Sequence, residues 1–121
     1  MVRKRGEFSL EIKQKMRGGE GEFRIEHILN QAELGKAGRL FAWGTLQPGH
    51  SIGQHVHEGE IEAICIVSGK GTVVEEGVEI PLEAGDVNYV PQGKSHQLIN
   101  TGTEDLVLLA CVLYPGGEGD A

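Results

Sequence analysis

Aromatic side chains are scarce: the chain has three Phe, two Tyr and one Trp in 121 residues. Glycine is abundant instead, at 19 residues, which favours many short strands joined by tight turns over helices. No apolar run reaches the ~18 residues of a membrane-spanning helix. The basic start is not followed by the apolar stretch of a secretion signal. Cysteine is down to Cys65 and Cys111, both inside apolar runs where the residue behaves as a small buried hydrophobe. A reduced, cytoplasmic protein is expected.

Cations are thin on most of the chain. Residues 1–19 carry +4, whereas the rest holds five basic and sixteen acidic groups, against a net charge of −7 for the whole. An acidic body repels nucleic acid and anionic membrane, so neither is an expected partner. The division read from these signals is a basic arm or leader at 1–19, one folded domain at 20–115, and a flexible tail at 116–121.

What remains is a row of short apolar or alternating runs. Strands are expected at Phe23–Leu29, Arg39–Leu46, Gly53–His57, Ile61–Val67, Gly71–Glu75, Val78–Leu82, Val87–Val90, His96–Asn100 and Leu106–Tyr114. Segments such as "HEGE", "SGKG", "EAGD" and "PQGKS" are the turns between them. The stretch "QAELGKAG" offers a turn of helix, and "FSLEIKQKM" reads as either helical or extended. This spacing argues for an antiparallel sandwich or barrel. Ile61–Val67 and Leu106–Tyr114 are apolar on both faces, whereas a lone sandwich should show a wet face on each strand. A second subunit covering that surface, and hence a homodimer, is expected.

The segment "PGHSIGQHVHEGEIEAICIVSG" carries the chemistry. His55 and His57, two apart on a strand, share a face. With Gly59 in the bend of a hairpin, Glu62 would lie across from His57 on the next strand. Alone, an His-x-His pair is an ordinary wet strand face. A second segment, "GDVNYVPQGKSHQLIN", adds His96 at the start of another strand and completes a set of three histidines and one glutamate. Such a set suits Fe, Mn, Co, Ni, Zn or Cu.

These two segments resemble the paired motifs of the cupin superfamily, in its small single-domain form. The first motif is read at Gly49, His55, His57, Glu62 and Gly69, and the second at Gly85, Pro91, Gly93, His96 and Asn100. All ten positions are in register. The resemblance implies an all-β jelly-roll barrel with one divalent transition metal per chain, held by His55, His57, Glu62 and His96. Asn100 is then structural, and the glycines serve turn geometry.

Other polar residues have blander readings. His50 belongs on a rim, His27 on a surface or interface, and Glu58 and Glu60 in solvent beside the bend. Glu60 shares a face with Glu62, which leaves it a place at the barrel mouth. Trp43, Phe41 and Tyr89 are assigned to core packing. Four protein ligands on an octahedral ion leave two positions open. The expected function is therefore a metal-dependent enzyme of dioxygenase, isomerase or lyase type, acting on a small oxygenated metabolite. A cupin that binds or senses a small ligand without turnover is the alternative. Candidate acids or bases are Glu60, Tyr89, His50 and a metal-bound hydroxide. Phosphorylated substrates are disfavoured, because the body beyond residue 19 shows no cluster of cations.

Overall fold

The computed structural model describes residues 1–116; from residue 117 on, the expected tail lies outside the described residues. Ten strands form two facing antiparallel sheets. The strands are β1 (Ser9–Gln14), β2 (Glu22–Leu29), β3 (Gly38–Leu46), β4 (Ser51–Val56), β5 (Ile61–Ser68), β6 (Lys70–Glu75), β7 (Val78–Glu83), β8 (Val87–Val90), β9 (Ser95–Ile99) and β10 (Leu106–Leu113). One sheet has the order β1-β2-β3-β10-β5-β8 and the other β4-β9-β6-β7. A single turn of helix, α1 (Gln31–Leu34), follows β2. Asn30 caps it by accepting from the Glu33 amide, and the Glu33 carboxylate accepts from the Asn30 amide in return. Among the described residues no helix is long and apolar enough to cross a membrane.

All nine expected strands are present, each within two residues of its expected ends. Alternation sorts their side chains. On β10, Leu106, Leu108, Ala110 and Val112 are buried between the sheets. They meet Ile64 and Ile66 from β5, Phe23 and Ile25 from β2, and Ile52, Val73 and Leu98 from the smaller sheet. Each of these side chains except Ala110 contributes about 1.5–3 kcal/mol by leaving water. Close packing also requires glycine at Gly69, which has φ +85° and whose missing Cβ would run into the Asp105 carbonyl.

Three expectations need correction. The first is the boundary at residue 19. Ser9–Gln14 is not an unstructured leader but the edge strand β1, in register with β2 from Ser9↔His27 to Gln14↔Glu22. The following turn is sewn to β4: the Ser51 amide donates to the Glu20 carbonyl and the Glu20 amide to Ser51 Oγ, both at 2.9 Å. The charges of this segment concealed its alternation of Leu10 and Ile12 with polar residues.

The second is the hairpin drawn between His57 and Glu62. β4 pairs with β9 in one sheet, whereas β5 lies in the other, between β10 and β8. The "HEGE" turn carries the chain across the barrel. The ladder partner of His55 is His96, while Glu62 sits between Val112 and Val90.

The third concerns the aromatics. The register places Phe41 opposite Cys111, Trp43 opposite Leu109, and Tyr89 opposite Ala63. These residues lie on the outer face of the six-stranded sheet. None belongs to the core: Tyr89 is 54% exposed, and Arg5 stacks on Trp43 at 4.3 Å.

Candidate metal centre

Two sheets deliver the four side chains to one point. His55 comes from the end of β4, His57 from the residue after it, His96 from β9 and Glu62 from β5. Their donor atoms all lie within 4.8 Å of one another. His57 and His96 are each 1% exposed, and Glu62 is 7% exposed.

Each imidazole is fixed through its Nδ1. In His55 that atom donates to the Gly53 carbonyl at 2.8 Å, and in His57 to the Glu60 carboxylate at 2.7 Å. In His96 it donates to Asn88 Oδ1 at 2.8 Å. Asn88 is itself oriented by donating from Nδ2 to Glu75. With protons placed on all three Nδ1 atoms, each neutral ring turns an Nε2 lone pair inward.

The inward atoms crowd together. Glu62 Oε1 is 2.8 Å from His57 Nε2 and 2.9 Å from His96 Nε2. His96 Nε2 is 3.2 Å from His57 Nε2 and 3.1 Å from His55 Nε2. Yet Glu62 Oε1 is buried without a hydrogen bond. Acceptors aimed at acceptors repel unless a cation lies between them. Ligands at right angles on a common ion, each ~2.1 Å from it, are ~3.0 Å apart. The residues present therefore fit a divalent ion.

The electrostatics agree. Burial pushes the Glu62 carboxyl up, but the adjoining His57 and His96 outweigh burial and hold it at about 2. The Glu62 carboxylate raises His57 above its ordinary value, against burial and with help from Glu60. Burial lowers His55, with the Gly53 carbonyl opposing. Metal-free, the cluster keeps its carboxylate charged and attracts a proton to His57, which a metal ion would replace.

Glu60 is not solvated, as the sequence reading had it. It is 8% exposed, and Arg39 clamps it, Nε to Oε2 at 2.6 Å and Nη2 to Oε1 at 2.7 Å. Three residues were missed as supports: Glu60 for His57, Arg39 for Glu60, and Asn88 for His96. A polar residue at an inward position of β8, between the outward-facing Val87 and Tyr89, was the available signal for Asn88. His50 is remote from the cluster, with its ring against the Glu22 amide. His27 pairs with Glu11 on β1 at 2.9 Å. Asn100 is structural as expected: it donates to the Leu46 and Glu104 carbonyls and accepts from the Gly102 amide.

The cluster opens into a cavity of about 30 Å³. Its other walls are mainly apolar, including Ile52, Ile64, Leu98 and Leu108, with Met16, Arg17 and Arg39 also in the lining.

Comparison with known proteins agrees with this architecture. The cupin domain family model matches residues 42–112. The chain belongs to the cupin family. This cupin is 41% identical over 113 residues to an oxalate-binding protein of Thermotoga maritima, covering 93% of each chain. The crystal structure of a predicted oxalate decarboxylase from Thermotoga maritima superposes with a TM-score of 0.90 at 40% identity, covering 95% of this chain and 100% of that one. A glucose-6-phosphate isomerase of Pyrococcus horikoshii is 33% identical over 90 residues, covering 70% of this cupin and 43% of the isomerase. The chain thus spans less than half the length of that relative.

Proposed function

We propose that this cupin is a metal-loaded binding protein for a small, oxygen-rich anion of the oxalate class. The observation that carries the reading is the convergence of four ligand atoms, from His55, His57, Glu62 and His96, on a cavity of about 30 Å³. A water needs about 10–15 Å³ by the same measure, so the space favours a small head group over a whole hexose. When bound, the metal supplies positive charge and open positions for the anion's oxygens. Ile52, Ile64, Leu98 and Leu108 keep bulk water away and strengthen that attraction. The 41% identity to an oxalate-binding protein supports the same ligand class.

The enzyme favoured from sequence has less support, because the candidate side-chain acids and bases are otherwise engaged. Glu60 is bound by Arg39 and His57, Tyr89 is on the outer face, and His50 is held near Glu22. Turnover of the bound anion remains the second reading, favoured by the likeness to a predicted oxalate decarboxylase. Calorimetric titration of metal-loaded protein with oxalate tests the first reading. Saturable binding that disappears on chelation supports it, and no binding overturns it. Formate and CO₂ assayed in the same mixture decide between binding and turnover.

The protein is further proposed to act as a homodimer, joined through the outer face of the six-stranded sheet. Phe41, Trp43, Leu109, Cys111, Val87 and Tyr89 gather there from β3, β10, β5's neighbour β8 and their shared register. An apolar face of this kind would serve as the shared patch of a two-fold interface. Cys65 and Cys111 are free on the same sheet.

A further inference from the structure

A cleft of about 470 Å³ lies outside the metal cavity. It shares Met16, Arg17, Arg39 and Leu40 with that cavity, so the two spaces lie side by side. Its charged and titratable lining is Lys13, Lys15, Arg17 and Arg39, with His27 and a single carboxylate, Glu11. That balance is unusual for a chain of net charge −7. Residues of the positive segment read as an arm thus line this cleft, and Met16 and Arg17 line the metal cavity as well.

Not all of these charges are available. Lys13 is 3.2 Å from Glu11, which also meets His27, and Arg39 is committed to Glu60. Lys15 and Arg17 make no ion pair among the described residues; both are exposed at the rim. Both also have left-handed backbone, at φ 49° and 56°, a conformation that costs a non-glycine residue about 1–3 kcal/mol and persists only where its surroundings impose it. Here the surroundings are plain. The Lys15 amide is bonded to the Gly21 carbonyl at 2.8 Å, and the Arg17 carbonyl lies where a Cβ on Gly53 would be. The two cations are on a docked turn, one end of which touches the strand that carries His55.

We propose that this cleft is an anion subsite for the tail of a longer ligand, whose oxygen-rich head occupies the metal cavity, with Lys15 and Arg17 gripping a carboxylate or phosphate. The proposal rests on the binding reading above and deepens it. The physiological ligand is then an α-oxo or α-hydroxy acid with a second anionic group, and oxalate matches its head only. Two cations with no ion pair among the described residues, on an acidic body, concentrate the local field at the cleft and draw such a ligand in.

Paired ligands isolate the tail. 2-Oxoglutarate and 2-oxopentanoate share a head and differ in a terminal carboxylate, and 3-phosphoglycerate and glycerate differ in a phosphate. Titrated into metal-loaded wild type, the member of at least one pair that carries the second anionic group should bind about tenfold tighter than its twin with the head carboxylate alone. Whichever pair shows the gap identifies the tail. In the doubly substituted Lys15→Gln, Arg17→Gln protein the gap should shrink below about twofold, with metal content as the check on folding. Ratios near one in wild type for both pairs overturn the subsite, as does a gap that survives the double substitution. Should no head bind, inorganic phosphate is titrated alone. Saturable binding lost in the double variant then supports the subsite and removes only the binding reading; no binding overturns both.

Discussion

Arg39 and His57 hold the same carboxylate and share one of its oxygens, Oε1 of Glu60. Arg39 reaches Glu60 through Nε and Nη2, and Oε1 of Glu60 also receives the Nδ1 proton of His57 at 2.7 Å. The guanidinium, first of all, keeps Glu60 at about 2, well below the ordinary carboxylate value, against burial and with help from His57. Glu60 therefore remains an acceptor at any pH the protein meets, and His57 keeps its Nε2 turned inward.

Replacing Glu60 with Ala should weaken metal retention by about 10- to 100-fold, the usual loss when a support of a ligating histidine is removed. Glu60→Gln keeps an acceptor for Nδ1 and should lose less. Competition with a chromogenic chelator measures both. Equal affinity in Glu60→Ala and wild type would show that Glu60 does not orient His57.

Acid should act on the metal-free protein through Glu62. Its folded carboxyl is held at about 2 against an ordinary 4.5. A depressed folded value stabilises above the ordinary value and loses that contribution as pH falls through the folded one. Melting temperature should thus drop between pH 4.5 and about 2, and the Glu62→Gln protein should show a shallower drop over that window. Parallel curves for the two proteins would contradict the assignment.

Much of this arrangement was legible in the sequence. Alternation and turn residues located nine strands, and the spacing of His55, His57, Glu62 and His96 selected the cluster before any fold was known. Two kinds of information were missing. Which strands pair is a long-range property, so Glu62 was drawn on a hairpin with His57 when the chain in fact crosses between sheets at that turn. Burial of a charged residue depends on partners remote in sequence. Glu60 reads as solvated until Arg39, 21 residues away, is placed against it. The positive segment at 1–19 misled for the same reason: its charges suggest a solvated arm, while its backbone bonds to β2 and β4.

Gly53→Ala should be among the costliest single-methyl changes in the protein. The added Cβ would collide with the Arg17 carbonyl and crowd the Gly19 amide. The collision is with backbone on both sides and cannot be relieved by a rotamer change, so a loss of about 1–3 kcal/mol is expected. Denaturant unfolding measures it, and faster proteolysis within residues 15–21 should accompany it. Wild-type stability would mean that the turn is not docked on β4.

The outer sheet face gives a separate expectation. Leu109→Lys places a charge at the centre of the Phe41, Trp43 and Cys111 patch and should convert a dimer to a monomer by light scattering at micromolar concentration. Metal content should persist, because Leu109 faces away from the cluster. A monomeric wild type would refute the dimer.

The most direct measurement is elemental analysis of untagged protein expressed with Fe, Mn, Ni, Zn and Cu all supplied, for wild type beside His57→Ala. The account predicts about one divalent ion per wild-type chain and a severe loss in the variant, with the barrel still folded. A metal-free wild type, or a variant that keeps its full complement, would contradict it.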